Sequence, residues 1–201
     1  MQDDTQRSRT LAVITGASRG FGKALAYAFA HSSLITQPTD LILTSRSLSD
    51  LESTKHHILS SPSLNPSISL ITYSADFSRL NLDVIITQLL HFIVPHAPSI
   101  YTRAFLFHNA GSLGKLSRIR QLEYKDYSDT LHLNVIAPQV LTSRFLKLFA
   151  ESRVTIVNIS SLAAYALNGG GVRLIMVDWS RLIVGVCIVL ERLVLLCLLS
   201  L

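Results

Sequence analysis

The fold expected for this chain is indicated most clearly by the stretch Thr15-Gly16-Ala17-Ser18-Arg19-Gly20-Phe21-Gly22. It follows the apolar run 11–15 and precedes a segment of helical periodicity, so its glycines occupy a strand-to-helix turn. Gly16 would permit a tight exit from the strand, Gly20 would let backbone approach a pyrophosphate, and Gly22 would let the helix pack closely. Because the first N–H groups of such a helix attract phosphates, the turn predicts a nucleotide site.

Further along the chain, short β-type runs alternate with longer segments of helical periodicity. The runs are almost continuously apolar, which is typical of strands buried on both faces of a parallel sheet. Strands are predicted near residues 11–15, 40–45, 68–74, 103–111 and 153–160, with a long helical segment at 123–149. This alternation predicts an α/β fold, namely a Rossmann-type doubly wound parallel sheet with helices on both faces.

Length and composition fit one such domain. The chain has 201 residues, of which 49% are hydrophobic and 15% charged, and its net charge is +5. These values argue against a disordered chain, and the modest basic excess does not indicate nucleic acid as a partner. Cys187 and Cys197 are the only cysteines and the histidines lack ligand spacing, so we expect neither disulfides nor a metal site. The polar, acidic start is unlike a secretory signal, which favours a cytoplasmic location.

Polar residues follow several predicted strands and interrupt the long helical segment. Asp76 follows the third strand, Asn109-Ala110-Gly111 follows the fourth, Ser161 ends the fifth, and Asn134 lies in the helical segment. Each has a structural explanation when taken singly. Asp76 could cap a helix beginning near Ser78, the Asn-Ala-Gly segment could be a turn, and Asn134 could be a buried polar group bonded to backbone.

The glycine spacing TGxxxGxG and the later motifs NAG, LHLNVIAP and IVNISS resemble the short-chain dehydrogenase/reductase family over residues 10–167. The resemblance implies an oxidoreductase that transfers hydride between a nicotinamide cofactor and a small-molecule carbonyl substrate. The resemblance is strongest to a family member that acts on a pterin, in the segments GASRGFGKALA, LTSRS, HNAGSLG and NISSLAA. One departure is His108, because the family motif usually reads NNAG at this point.

The resemblance also implies roles for individual residues. Asn134 would hold a water in a proton relay, and Ser161, the second serine of its pair, would be the catalytic serine. The implied cofactor-binding residues are Gly16, Ser18, Arg19, Gly20, Phe21, Gly22, Ser45, Arg46, Asp76, Phe77, Asn109, Ala110 and Gly111. Family members form homo-oligomers through two helices that flank the active site, and only one of these is recognisable here, which weakens that expectation.

The end of the second strand predicts which nicotinamide cofactor is used. An acidic residue there would bond the adenosine ribose of NAD and repel the extra phosphate of NADP. The segment reads Leu43-Thr44-Ser45-Arg46, without an acid, and Arg46 can pair with a 2′-phosphate in bidentate geometry. Arg19 can reach the same phosphate. Either arginine alone could be a solvated surface residue, but the two together favour NADP.

The proton donor that the resemblance implies is missing from the sequence. The family's carbonyl reduction uses a tyrosine whose pKa is lowered by a lysine four residues later on one helical face. The tyrosine should fall near position 174, where Leu174 stands instead. Tyr165 is the only tyrosine after Ser161, and no lysine follows Lys147. With catalytic Tyr and Lys missing, we expect this polypeptide to have little or no reductase activity.

Residues 168–201 differ in character from the sequence before them. The alternation of strand-type and helix-type segments stops there, and apolar residues dominate. We interpret residues 10–167 as an NADP-binding Rossmann domain that is C-terminally incomplete. The apolar tail is unlike the family, and Gly171-Val172-Arg173 is what a splice-donor sequence could encode if it were read through. The tail is therefore interpreted as translated intron or frameshifted sequence.

Two alternatives to this interpretation remain at the level of sequence. Residues 182–201 approach the length of a membrane span, but Glu191 and Arg192 in the middle disfavour insertion, each by roughly 2.5–3.5 kcal/mol. The chain as a whole could also be a truncated isoform that binds a nucleotide or a partner without catalysis.

Overall fold

The computed structural model of this chain describes residues 9–94 and 98–159. The strands are β1 (Arg9–Thr15), β2 (Thr39–Ser45), β3 (Ile68–Ser74), β4 (Tyr101–His108) and β5 (Arg153–Asn158). They form one parallel sheet in the order β3-β2-β1-β4-β5. Ile14 of β1 is in register with Leu43 on one side and Phe107 on the other. Because the strand order reverses between β1 and β4, a crevice opens at their carboxyl ends.

Helices connect successive strands, as the alternating pattern predicts. The α-helices of the described residues are α1 (Gly20–Ala30), α2 (Leu48–Leu59), α3 (Leu82–Ile93), α4 (Tyr124–Leu131) and α5 (Ala137–Leu148). Short 3₁₀ turns occupy Pro98–Ile100 and Ile119–Gln121. A π-helical turn, His132–Ile136, joins α4 to α5. The long helical segment predicted at 123–149 is thus confirmed in extent, with an interruption that periodicity did not indicate.

Apolar side chains cover both faces of the sheet. Leu11 and Val13 of β1 belong to a core cluster with buried residues of α3 and α5, whereas Ala12 and Ile14 belong to a cluster with residues of α1 and α2. Successive side chains of a strand point to opposite faces, so β1 contributes to both clusters. This arrangement confirms the predicted doubly wound fold with helices on both faces.

None of the helices described in residues 9–94 and 98–159 has the length and apolarity needed to cross a membrane. The apolar tail at 168–201, with its interpretation as misread sequence or as a membrane span, lies outside the described residues.

A partly buried ion pair joins the amino ends of the three central strands. Asp40 of β2 is 8% exposed and accepts hydrogen bonds from Arg9 Nε of β1 at 3.1 Å and from the Tyr101 hydroxyl of β4 at 2.9 Å. A second bond, from Arg9 Nη2 to Asp40 Oδ1, makes the arginine contact bidentate. Burial and the bond to Asp40 raise the pKa of Tyr101, and the same carboxylate raises the pKa of Arg9.

Asp40→Ala should lower the free energy of unfolding by about 2 kcal/mol, because the Tyr101 hydroxyl and the Arg9 guanidinium would lose their partner. Urea unfolding measures the change. Asp83→Ala is the matched control: its carboxylate is 75% exposed and pairs with Arg144, so its loss should amount to less than about 1 kcal/mol. Equal effects of the two substitutions would contradict a structural role for the Asp40 cluster.

Candidate functional site

The glycine turn leaves β1 in a conformation that suits glycine. Gly16 has φ of 68° and Gly20 has φ of 57°, both in the left-handed region that other residues rarely adopt. The turn is anchored from outside: Ala17 N donates to Thr44 O at 3.0 Å, and Thr54 Oγ1 donates to Ser18 O at 3.1 Å. These bonds hold the chain in position where β1 leads into α1.

The amino end of α1 has the character expected of an anion-binding helix terminus. Arg19 occupies the N-cap and makes no side-chain cap hydrogen bond, and the first turn contains no acidic residue. The N–H groups of the first turn therefore have no capping side chain and carry the positive end of the helix dipole. A Cβ built on Gly20 meets nothing within 4 Å, so this side of the turn is open.

Two of the glycines are packed too closely for a side chain. A Cβ on Gly22 would lie 2.3 Å from both Asn109 Nδ2 and Gly16 O, and a Cβ on Gly16 would lie 2.9 Å from Ala110 Cα. The turn after β1 is therefore pressed against the segment after β4. The close approach predicted for Gly22 is confirmed, and its partners are the turn and the NAG segment.

Thr15 and Asn109 join the ends of β1 and β4. Thr15 Oγ1 donates to Phe107 O at 3.1 Å and accepts from the backbone N–H groups of Asn109 and Ala110, both at 3.0 Å. The Asn109 side chain donates to Thr15 O at 3.0 Å and to Gly16 O at 3.1 Å. Sequence reasoning assigned no role to Thr15, although a 2% exposed hydroxyl at the end of an apolar strand requires partners.

The ends of β2 and β3 position the predicted phosphate-binding arginine. Ala75 N donates to Ser45 O at 2.9 Å, and Ser74 Oγ donates to Arg46 O at 3.1 Å. The backbone of Arg46 is thus held while its side chain remains exposed. Within the part of the chain that the structure describes, neither Arg46 nor Arg19 forms an ion pair.

Asp76 organises the turn after β3. Its Oδ1 accepts from Ser78 N at 3.1 Å and from Ser78 Oγ at 2.6 Å, and its Oδ2 accepts from Arg79 Nε at 3.2 Å. Partial burial opposes ionisation, but the bonds from Ser78 and Arg79 and the charge of Arg46 outweigh it and lower the pKa of Asp76. The expected helix start near Ser78 is wrong, because α3 begins at Leu82 and Asp76 closes a local turn instead.

These parts line one cavity of about 660 Å³ at the carboxyl ends of the strands. All of the predicted cofactor-binding residues lie on its wall: Gly16, Ser18, Arg19, Gly20, Phe21, Gly22, Ser45, Arg46, Asp76, Phe77, Asn109, Ala110 and Gly111. The sequence did not indicate several further lining residues, among them Ser47, Asp50, Ser112, Gly114, Lys115, Asp126, Asp129, Thr130 and Leu133. The volume is within the range usual for ligand sites, roughly 300–1,000 Å³.

Asn134 lies in the π-helical turn and does not line this cavity. Its Oδ1 accepts from Ser112 N at 2.9 Å, and its Nδ2 donates to Ser112 O at 2.7 Å. Both ends of the side chain therefore bond backbone, as in the structural alternative, and they fix the segment that follows Gly111. The water relay of Asn134 stays a prediction, and Ser161 lies outside the described residues.

The segment after Ser112 packs on α4 at the far end of the cavity. Gly114 has φ of 70°, and a Cβ there would lie 2.3 Å from Thr130 Oγ1. Lys115 Nζ pairs with Asp126 Oδ2 at 3.3 Å. A hydrogen bond that Asp126 accepts from the backbone N–H of Glu123, together with the nearby lysines, lowers the pKa of Asp126. The glycine was the only signal in the sequence for this contact.

His108, which departs from the usual NNAG motif, is a buried group behind the cavity. Its side chain is 7% exposed, and its Nε2 lies 2.7 Å from Thr142 Oγ1 of α5. Burial lowers the pKa of His108 to about 4. His108 is therefore a core residue whose imidazole bonds Thr142.

The sequence model of the short chain dehydrogenase family matches residues 10–172. Sepiapterin reductase of Rattus norvegicus is 33% identical over 159 residues, which cover 76% of this chain and 57% of that protein. Benzil reductase ((S)-benzoin forming) of Bacillus cereus is 28% identical over 153 residues, which cover 74% and 55%.

A solved structure also shares the fold. The crystal structure of a metagenomic short-chain oxidoreductase in complex with NADP is similar with a TM-score of 0.56 and 26% identity, over 77% of this chain and 63% of that one. The chain spans little more than half the length of the curated relatives that it matches.

Proposed function

This chain belongs to the short-chain dehydrogenase family, and from that premise we propose that its cavity binds NADP. One observation carries the choice of cofactor: Arg19 and Arg46 line the same cavity, and the end of β2 contributes no acid at the position where a ribose diol would be held. Asp50 also lines the cavity, but it lies in the first turn of α2 and not at the end of β2. Two guanidinium groups beside a cavity favour a 2′-phosphate over a 2′-hydroxyl.

The residues present fit the parts of this cofactor. The uncapped amino end of α1 and the open side of Gly20 would hold the pyrophosphate. Arg46 and Arg19 would hold the 2′-phosphate. The family uses an Asp after the third strand to hold adenine, and the Asp76 carboxylate, which lines the cavity, would accept a hydrogen bond from the exocyclic amine of that ring. NADPH supplies a hydride when it is bound, and the protein binds and orients it.

For the substrate we propose a small carbonyl compound of the pterin class. The support is the similarity to sepiapterin reductases, together with the sequences of the glycine turn and of the NAG and ISS motifs. Turnover requires a proton donor for the developing alkoxide. The family's donor is a tyrosine followed by a lysine four residues later, and no lysine follows Lys147 in this sequence. We therefore propose that the 201-residue polypeptide binds NADPH with little or no reduction of substrate.

Titration of NADPH and NADH, followed by nicotinamide fluorescence, tests the proposed cofactor. We expect tighter binding of NADPH, and Arg46→Ala should weaken NADPH by about 10-fold or more while NADH changes little, because a charge-assisted bond to phosphate is lost. Arg103→Ala is the matched control, since this exposed arginine lies near the amino end of β4, away from the cavity. Equal affinities for the two cofactors would refute the assignment.

The NADPH complex of the chain also distinguishes an enzyme from a non-catalytic isoform. The missing tyrosine and lysine favour the non-catalytic isoform. Sepiapterin is added to the NADPH complex and the absorbance of NADPH is followed. Binding without oxidation of NADPH supports a nucleotide-binding isoform. Turnover above the rate of the Ser161→Ala variant would show that a reductase is present and that the proposal of inactivity is wrong.

A further inference from the structure

The Asp76 carboxylate reaches the cavity with part of its hydrogen-bonding capacity already used. Oδ1 accepts two bonds, both from Ser78, which fills the two lone pairs of that oxygen. Oδ2 accepts one bond from another described residue, that from Arg79 Nε at 3.2 Å. Any hydrogen-bond donor in the cavity must therefore share Oδ2 with Arg79.

Arg79 is held in place by more than this ion pair. Its backbone N–H donates to Asp76 O at 3.3 Å, and its carbonyl accepts a bond from His132 Nε2 at 2.9 Å. The Arg79 side chain is 70% exposed, against 26% for Asp76, and it is not among the residues that line the cavity. The guanidinium thus contacts the carboxylate from the solvent side, while the carboxylate lines the cavity.

We propose that Arg79 is a specificity-determining residue that tunes how strongly Asp76 distinguishes a 6-aminopurine from a 6-oxopurine. This inference rests on the proposed function, in which Asp76 receives the adenine amine. An arginine bonded to Oδ2 weakens that oxygen as an acceptor for a second donor. The guanidinium is also a donor beside the carboxylate, and it reduces the repulsion between Asp76 and a 6-oxo group.

The experiment compares NADPH with its 6-oxopurine analogue, reduced nicotinamide hypoxanthine dinucleotide phosphate, on the full chain. Both are titrated by nicotinamide fluorescence into the wild type and Arg79→Ala. The preference for NADPH, expressed as the ratio of the two dissociation constants, should be about fivefold larger in Arg79→Ala than in the wild type, because the guanidinium would no longer weaken Oδ2 as an acceptor for the amine. Arg79→Lys, which keeps the positive charge, should give a ratio between that of the wild type and that of Arg79→Ala.

Two controls make the result specific. Arg103→Ala removes the same charge near the other end of the sheet and should leave the ratio at the wild-type value. In Asp76→Asn, a further Arg79→Ala change should no longer alter the ratio, because the shared carboxylate is gone. Circular dichroism confirms that each variant is folded, and Arg79→Lys still tests the inference if Arg79→Ala is not.

The failure of this inference differs from the failure of the proposed function. If Arg79→Ala changes the affinities for both nucleotides by the same factor, Arg79 has no part in purine recognition and the inference is overturned. If neither nucleotide binds the folded wild-type chain, the proposed NADP site is itself refuted.

Discussion

Replacing Gly22 with alanine is expected to abolish NADPH binding and to lower the free energy of unfolding by about 3 kcal/mol. A Cβ at this position would lie 2.3 Å from Asn109 Nδ2 and 2.3 Å from Gly16 O, so one of these groups must move. Asn109 cannot move freely because its amide donates to the carbonyls of Thr15 and Gly16. The substitution would therefore separate the glycine turn from the end of β4, where the cavity is formed.

Gly111→Ala is the matched control for this prediction. Gly111 also lines the cavity, but a Cβ there would have its nearest contact 3.4 Å away, at Asn134 Oδ1, which is an ordinary distance. We expect the free energy of unfolding of this variant to lie within about 0.5 kcal/mol of the wild-type value. Urea unfolding and NADPH titration of both variants measure the effect. Similar stabilities of Gly22→Ala and Gly111→Ala would show that the contact between the turn and Asn109 relaxes without strain.

Much of this arrangement could be predicted from local sequence. Strands buried on both faces leave continuous apolar runs, so the sheet and its alternation with helices were visible without the structure. The glycines of the turn after β1 mark a backbone conformation or a close contact that other residue types rarely allow, and Arg19 and Arg46 follow neighbouring strands. The sheet and the strand-to-helix turn after β1, which depend on one short segment at a time, were therefore predicted correctly.

The turn after β3, the π-helical turn and the contact of Gly114 were not predicted from the sequence. The sequence shows Asp76 before Ser78, but not whether the carboxylate caps a helix or closes a turn, and α3 begins only at Leu82. The π-helical turn that contains Asn134 lies inside the segment that the sequence predicts as one helix. The contact of Gly114 with Thr130 likewise requires the fold before it can be recognised.

Acidification is expected to destabilise the folded chain through His108. Burial lowers the pKa of this imidazole to about 4 in the folded state, against an ordinary value near 6.5. Between these values the unfolded chain binds more protons than the folded chain, so stability decreases as the pH falls. The contribution is fully present above pH 6.5 and is lost by about pH 4. At about 1.4 kcal/mol per pKa unit, the total loss is about 3 kcal/mol.

His108→Asn isolates this effect, because asparagine is the residue that the family motif usually has at this position and it does not titrate. Urea unfolding of both proteins from pH 7.5 to pH 4 should show the wild type losing about 3 kcal/mol more than the variant. His56→Asn, on the exposed surface of α2, should keep the wild-type dependence. The cause lies in the position of the imidazole, which is 7% exposed and lies against Thr142 of α5, so that a proton gained there must be accommodated without water. Parallel losses in the wild type and His108→Asn would place the acid sensitivity elsewhere in the chain.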